Sequence, residues 1–382
     1  MFQTQCRFFN GYKPCGKNSN CSADCPSFER VNQSVLLIHL GALGAVVRST
    51  ALLQKIKEKY PQSLITWVTD APAQQLLKNH PLVDRVLTTG SEDLLQLSAL
   101  EFDLAFVVDK SLKATGVLKS TKAKQVYGFR AEARTGAILP ATPAATELWS
   151  LGLNDEKKFF QNQKTEIQLI CEALELGPMP LPAYDLPLSD LEARLCSQRK
   201  KQWSLNFRQP VIGINTGCAN VIPAKKLTVE YQRRMIQAFL DSGFENLVLL
   251  GGPEDEIRNQ QIGQGLPIFQ SSTGLGLRDG LVSVAACDLV VTGDSLGMHM
   301  AISQSKFVIA WFGPTCAQEI ELYGKGVKIQ SQAACGPCWK RSCDKAQMCY
   351  DQVDLGSILQ AIFQGTEDWC RQNEFSLFKP LF

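Results

Sequence analysis

With 382 residues, 45% of them hydrophobic and 20% charged, the chain reads as a globular protein long enough for two cores joined by a cleft. Its 39 basic and 37 acidic residues leave a formal charge of only +2, so no global field argues for nucleic acid, and an anionic ligand must be held locally. The first residues hold no apolar core of signal-peptide length, and no later stretch approaches the roughly 18 uninterrupted apolar residues of a membrane span; a cytoplasmic protein is expected.

In chain order, residues 1–32 are rich in Cys, Gly, Pro, Asn and Ser and lack periodicity, which predicts a small loop-built module. Regular structure begins with SVLLIHL over 34–40, a near-continuous apolar run ending at Gly41 and Gly44. The helical pattern of 46–60 follows, as expected of a buried parallel strand feeding a helix. Short strands are predicted at 64–69, 85–87, 104–108 and 125–127, separated by helices such as 73–79 and 111–118, an alternation that implies a doubly wound sheet over 33–185. Pro178, Pro180, Pro182 and Pro187 mark a linker, placed at 186–207. A second series over 208–354 has strands at 211–215, 247–250, 288–292 and 307–311 and helices near 229–242, 254–262, 280–286 and 297–303. Residues 355–382 open with an amphipathic helix over 355–370, expected to pack back on the first half.

Several loops at strand carboxyl ends carry candidate chemistry. In VTGDSLGMH, Ser295 stands where it would cap the helix that follows, leaving the N–H groups of Leu296 and Gly297 to face an anion, with Asp294 and His299 flanking it. Plain capping and a packed core histidine are the structural alternatives. Asn215-Thr216-Gly217 ends another strand, and Lys225 and Lys226 precede the next helix, where a lysine can neutralise phosphate. Glu254, after Gly251-Gly252-Pro253, is placed to accept a ribose hydroxyl or simply to sit in a first helical turn. These three loops fall at one sheet's carboxyl edge, where open α/β sheets bind ligands. Gly41-Ala42-Leu43-Gly44 is a weaker signal, since a tight strand-to-helix turn needs glycine anyway.

Fourteen cysteines in a cytosolic chain point to metal or reduced thiols more than to disulfides. Cys335, Cys338, Cys343 and Cys349 form a compact four-thiol set suited to one tetrahedral structural metal, with no open position for catalysis. Cys6, Cys15, Cys21 and Cys25 form a looser set; one shared site remains open, and zinc, iron and an iron–sulfur cluster are not ranked by spacing. Lys110, Lys113, Lys119, Lys122 and Lys124 suggest a positive region for a phosphorylated acceptor, or a solvated face.

The segments VLLIHLGALGAVVRSTALLQKIKEKYP, NTGCANVIPAKKL, CDLVVTGDSLGMHMAI and VIAWFGPTCAQEIELYG resemble glycosyltransferase family nine, the ADP-heptose heptosyltransferases of lipopolysaccharide synthesis, over about residues 34–363. The CGPCWKRSCDKAQMC segment is similar to cysteine-bearing members. The resemblance implies an α/β chain of GT-B fold, two Rossmann-like domains with parallel sheets facing a cleft, and inverting transfer of heptose from ADP-heptose without a catalytic metal. The acceptor, a phosphorylated saccharide-lipid or a protein, would lie on the first half. The donor phosphates would lie against Thr216, Lys225, Ser295, Leu296 and Gly297, with Asp294 and His299 lining the pocket and Glu254 near the ribose; Lys226 or Glu256 are substitutes for the two variable loops.

One departure stands out. Family members carry L-G-D after the first strand, whereas this chain has Leu43-Gly44-Ala45, so the expected general base is missing at Ala45. A methyl group cannot take the acceptor's proton. Three readings are open: an introduced inactivating change, another carboxylate such as Asp70 or Asp109 serving as base, or a nucleotide-sugar-binding scaffold that does not catalyse.

Overall fold

The computed structural model describes residues 4–9, 11–22, 24–177, 180 and 182–375. The chain divides into two compact units, Met1–Ala42 with Ser49–Asp155 and Ile167–Pro182, and Leu43–Arg48 with Glu156–Glu166 and Ala183–Phe382. In the first unit the strands are β1 (Gln33–Ile38), β2 (Ser63–Thr69), β3 (Arg85–Thr88), β4 (Glu101–Val107), β5 (Lys122–Ala131) and β6 (Ile138–Pro140). They order as β3-β2-β1-β4-β5-β6, parallel except for β6, which runs antiparallel to β5 at the edge. Val35, Leu36, Leu37 and Ile38 of β1 are completely buried, as a central parallel strand covered on both faces requires.

The helices that follow are α1 (Leu43–Ser49), α2 (Ala51–Lys59), α3 (Ala71–Leu77), α4 (Ser91–Ser98), α5 (Leu112–Lys119), α6 (Thr146–Leu151) and α7 (Glu166–Ala173). The single helix expected over 46–60 is broken at Thr50, whose carbonyl takes the Leu53 amide in a tighter i+3 turn at 3.1 Å. The first turn of this helical stretch, α1 up to Arg48, belongs with the second unit.

The second unit adds α8 (Asp190–Trp203), β7 (Ile212–Asn215), α9 (Val229–Asp241), β8 (Leu247–Leu250), α10 (Glu256–Gly263), β9 (Phe269–Gln270), α11 (Leu277–Ala286), β10 (Leu289–Gly293), α12 (Leu296–Ser303), β11 (Phe307–Phe312), β12 (Gly326–Gln330) and α13 (Leu355–Gln372). Its sheet, β12-β11-β10-β7-β8-β9, repeats the order of the first, now wholly parallel. Both match the doubly wound arrangement that reverses direction at its centre and binds ligands at the strand carboxyl ends there. The switch point lies between β7 and β10 in the second unit and between β1 and β4 in the first.

Two expected boundaries need correction. Residues 186–207 are not a linker. They contain α8, opened by a capping box between Ser189 and Glu192 and tied into the second unit by ion pairs of Arg278 with Glu192, Arg199 with Asp279 and Lys200 with Asp288, at 2.5, 2.5 and 2.6 Å. The Arg278 guanidinium holds the Glu192 carboxyl down to about 2. Proline spacing flagged the chain's exit from the first unit, but charge pairing decided where the helix docked; Pro178 lies outside the described residues.

The C-terminal helix, expected to pack back on the first half, is part of the second unit's own core. Ile358, Ala361 and Ile362 are buried in one core cluster with Leu289, Ile309 and Ile329. At Gly365 an added Cβ would stand 2.6 Å from the Phe307 ring, so the helix reaches the strands only because that position has no side chain. Residues 376–382 of the expected segment lie outside the described residues. Among the described residues no helix is long and apolar enough to cross a membrane.

Candidate functional site

At the second switch point the ends of β7 and β10 are held together by Asn215. Its side-chain amide donates to the Gly217 carbonyl, the Thr292 hydroxyl and the Ser295 hydroxyl at 2.9, 3.2 and 3.0 Å. A Cβ on Gly297 would come within 2.7 Å of the same amide, so glycine lets the first turn of α12 sit directly on Asn215. Ser295 occupies the N-cap with extended backbone (φ −149, ψ 174), yet its side chain makes no cap bond. The hydroxyl faces Asn215 and Thr292 instead. The expected serine cap is therefore absent. The backbone amides that open α12 are left without a side-chain acceptor, the condition under which a helix N-terminus attracts an anion.

Beside this terminus, Lys225 Nζ pairs with Asp294 Oδ2 at 2.8 Å. Burial works against the Asp294 charge, but Lys225, by its charge and hydrogen bond, holds its carboxyl below the ordinary value. Lys225 rather than Lys226 is the lysine at this turn, because Lys226 leans to Asp255 at 3.6 Å and donates to Asn220 at 3.2 Å. Thr216 is buried, with its hydroxyl spent on Asn259 and the Leu250 carbonyl at 2.5 and 3.2 Å. Glu254 is exposed and accepts from Asn220 at 3.1 Å. The structure thus brings Lys225, Asp294, Ser295, Leu296, Gly297 and His299 together, gives the Thr216 side chain a scaffold role and leaves Glu254 on an outer turn.

A buried charged cluster around His299 had no sequence signal, because its members lie far apart along the chain. Arg48 pairs with Glu166 at 2.7 Å, and Lys158 lies 3.8 Å from Glu319. The Tyr184 ring lies 5.9 Å from that of His299. Burial, then the nearby Arg48 charge, pulls the His299 imidazole down to about 3, so it is neutral at physiological pH. Its Nδ1 and the Tyr184 hydroxyl are buried without a hydrogen-bond partner among the described residues. Two such atoms in one place call for a ligand or water. Gly44 explains the second glycine of the first turn, since a Cβ there would be 2.4 Å from His299 Cδ2. Gly44→Ala is expected to cost about 1–3 kcal/mol of stability by overpacking this ring, and a urea midpoint equal to the parent's would refute the contact.

Glu319 is 7% exposed, and burial, reinforced by Glu166, raises its carboxyl to about 7. A carboxyl raised on folding stabilises most below its unfolded value, near 4.5, and loses that contribution as pH climbs through about 7. Glu319→Gln should therefore gain stability relative to the parent between those limits. Urea melts at several pH values would show it, and parallel curves for the two proteins would count against the assignment.

In the first unit the equivalent switch point holds Asp109, whose Oδ2 accepts the Leu40 amide at 2.6 Å and whose Oδ1 lies 3.9 Å from His39 Nε2. Burial pushes this carboxyl up to about 6 despite that amide and Lys110. Asp70 is engaged by Thr89 and Lys113 at 2.9 and 2.6 Å. The lysine run does not form one patch. Lys122 and Lys124 pair with Glu101 and Asp103 at 2.9 and 2.7 Å, at the amino end of β4, whereas Lys113 meets Asp70 beyond the opposite end of the sheet. A strand rises about 3.3 Å per residue, which separates lysines that are close in sequence.

Residues 95–348 match the model of glycosyltransferase family 9 (heptosyltransferase), well over half of the chain. The chain belongs to that family. It is 26% identical over 298 residues to lipopolysaccharide heptosyltransferase 2 of Escherichia coli K12, covering 74% of this chain and 83% of the relative. Two solved structures share its fold. ADP-heptose lps heptosyltransferase II of E. coli has TM-score 0.61 and 20% identity, over 87% of this chain and 99% of that one. The iron-containing dodecameric heptosyltransferase TibC of enterotoxigenic E. coli, solved with ADP-D-beta-D-heptose, has TM-score 0.53 and 11% identity, over 88% and 77%. This family 9 chain accordingly has the GT-B fold, each unit carrying a Rossmann-type sheet.

In this family 9 chain the C-terminal cysteine loop is docked on the turn after β11. The amides of Cys338 and Trp339 donate to the Pro314 carbonyl at 3.0 and 2.8 Å, and a Cβ on Gly313 would meet Cys349 Sγ at 2.8 Å. Trp339 places its ring 4.5 Å from Lys158 Nζ and 5.6 Å from Lys225 Nζ, so the loop abuts Lys225. Burial, and then the neighbouring thiols Cys338, Cys335 and Cys343, raise Cys349. Among the described residues no three His, Cys, Asp or Glu side chains already converge as a metal site. In the N-terminal module, Cys6, Cys15, Cys21 and Cys25 line one pocket.

Proposed function

We propose that this chain is an inverting transferase that takes heptose from ADP-heptose and delivers it to a phosphorylated saccharide-lipid acceptor of the lipopolysaccharide-core type. The observation that carries the reading is the uncapped start of α12 beside the Lys225–Asp294 pair. As the acceptor oxygen attacks the anomeric carbon, its proton passing to a carboxylate such as Asp109 or, without one, to water, the glycosyl–oxygen bond breaks and negative charge grows on the departing β-phosphate. Amides of Leu296 and Gly297 and the Lys225 ammonium are the groups that would stabilise it. Neutral His299 would offer a ring nitrogen to a sugar or phosphate oxygen, and Glu254 would meet the ribose only if its turn moves inward. Relatives named for lipopolysaccharide heptosyl transfer and for ADP-heptose support donor and acceptor class. Work in the cytoplasm at the inner-membrane face follows from that acceptor.

The four C-terminal thiols would hold a structural metal, zinc or iron, that fixes Trp339 against Lys225; an iron-containing relative supports the idea. No step of the transfer runs through it.

Ala45 favours a second reading, a binder of nucleotide sugar that does not turn over. Calorimetry with ADP tests what the two share: binding is expected, and no heat of binding with the intact chain would reject both. A turnover assay with ADP-heptose then separates them.

A further inference from the structure

We infer that the N-terminal module holds its own tetrathiolate metal centre, one divalent thiophilic cation bound by Cys6, Cys15, Cys21 and Cys25, separate from the C-terminal cysteine loop. All four thiols line one pocket, whose remaining walls come from the same module, chiefly Phe8, Phe9, Phe28 and Asn18. Two tight turns start at ligand positions: the Phe9 amide donates to the Cys6 carbonyl at 2.9 Å and the Phe28 amide to the Cys25 carbonyl at 3.1 Å. A short antiparallel bridge, Cys6 with Arg30, clamps these turns together. It is closed by Arg7 N to Glu29 O and Val31 N to Gln5 O at 2.7 and 2.8 Å.

The module needs such a staple. Apart from that bridge it has no strand or helix among its described residues, and Tyr12 is 93% exposed. The module is tied to the rest of the first unit by Arg7, which reaches Asp84 at 2.5 Å and the Pro81 carbonyl at 3.3 Å, and by Asn32, whose backbone amide donates to the Gln62 carbonyl at 3.0 Å. Segments this small rarely hold one shape without disulfides or metal, and a bound ion contributes its binding free energy directly to folding.

The surroundings suit thiolates as well. The Asn18 amide approaches Cys25 Sγ at 3.8 Å, the kind of outer contact that orients a metal-bound sulfur. Lys17 Nζ sits 3.8 Å from the centroid of Phe8 in the pocket wall. Binding converts four thiols and one M²⁺ into a dianionic M(SR)₄ unit and releases four protons. Among the described residues no three such side chains converge as a metal site without the ion, so binding requires the four thiols to close onto it from the pocket wall.

The test uses the full chain purified without oxygen. In a variant with Cys335, Cys338, Cys343 and Cys349 all changed to Ser, metal analysis is expected to find about one equivalent of zinc or iron. Adding Cys15→Ser and Cys21→Ser should abolish it. Because that variant could fail to fold, the unmutated protein is also alkylated and mapped by mass spectrometry: Cys6, Cys15, Cys21 and Cys25 should resist labelling until a chelator is added. Immediate labelling of all four, disulfides among them, loss of all metal in the C-terminal variant, or acid-labile sulfide on the N-terminal set would each overturn the single-ion centre. None of these outcomes bears on whether the chain transfers heptose.

Discussion

Ala45→Asp is expected to raise heptosyl turnover from ADP-heptose by roughly 10²–10⁴, the usual contribution of a positioned general base. Position 45 lies in the first turn of α1, one residue past the Gly44 that packs against His299. A carboxylate there gains from the positive end of the helix and should stay ionised at neutral pH. The donor contacts are unchanged, so ADP affinity should be the same in parent and variant while kcat rises. If Asp109 serves as base in the parent, its carboxyl near pH 6 gives a rate that climbs with pH through that value, and Asp109→Asn abolishes both the rate and the profile. No gain in Ala45→Asp with saccharide-lipid and protein acceptors alike, alongside intact ADP binding, would leave the non-catalytic binder as the function.

Removing Lys225, the lysine proposed to meet the donor phosphate, should be the second large effect. Lys225→Ala is expected to weaken ADP binding by about 1.5–3 kcal/mol, the range for a hydrogen bond to a charged group. In a chain made active at position 45 it should cut turnover by a further factor of roughly 10²–10³. The variant also strands Asp294, which is mostly buried with Lys225 as its partner, so part of any loss could come from that orphaned charge. Lys225→Ala combined with Asp294→Asn removes the ambiguity. If Lys225 binds phosphate, the double variant stays weak. If the double variant recovers parental ADP affinity by calorimetry, Lys225 serves only to neutralise Asp294 and the phosphate role fails.

Much of this architecture was legible because parallel strands buried on both faces write themselves as apolar runs. The runs at 34–40, 247–250 and 307–311 became β1, β8 and β11 within a residue or two. What periodicity missed was short or marginal. β6 and β9 span three and two residues, and β12 keeps only one of its five residues buried. The helix α8 was hidden because it is nearly all polar outward, with Trp203 its one buried residue, and its place is set by ion pairs to distant residues. The C-terminal helix showed its apolar stripe but not its partner, since a stripe states that something covers it and not which sheet.

For the candidate site, sequence order was enough to name the turns that meet beside the start of α12. Turns at strand carboxyl ends and the helix starts after them are local features: Lys225 and Asp294 sit in such turns, and Gly297 and His299 in the first half of α12. It could not name Arg48, Glu166, Tyr184 or Glu319, whose side chains meet only after chain segments far apart in sequence pack around His299. Nor could it tell that the Ser295 hydroxyl would turn to Asn215 rather than cap its helix. Local propensity and spacing therefore determined the strands, the turns and the thiol sets. Only tertiary packing decided which polar groups were spent on one another and which, such as His299 Nδ1, were left buried without a partner among the described residues, because hydrogen-bond satisfaction in a buried site depends on every neighbour at once.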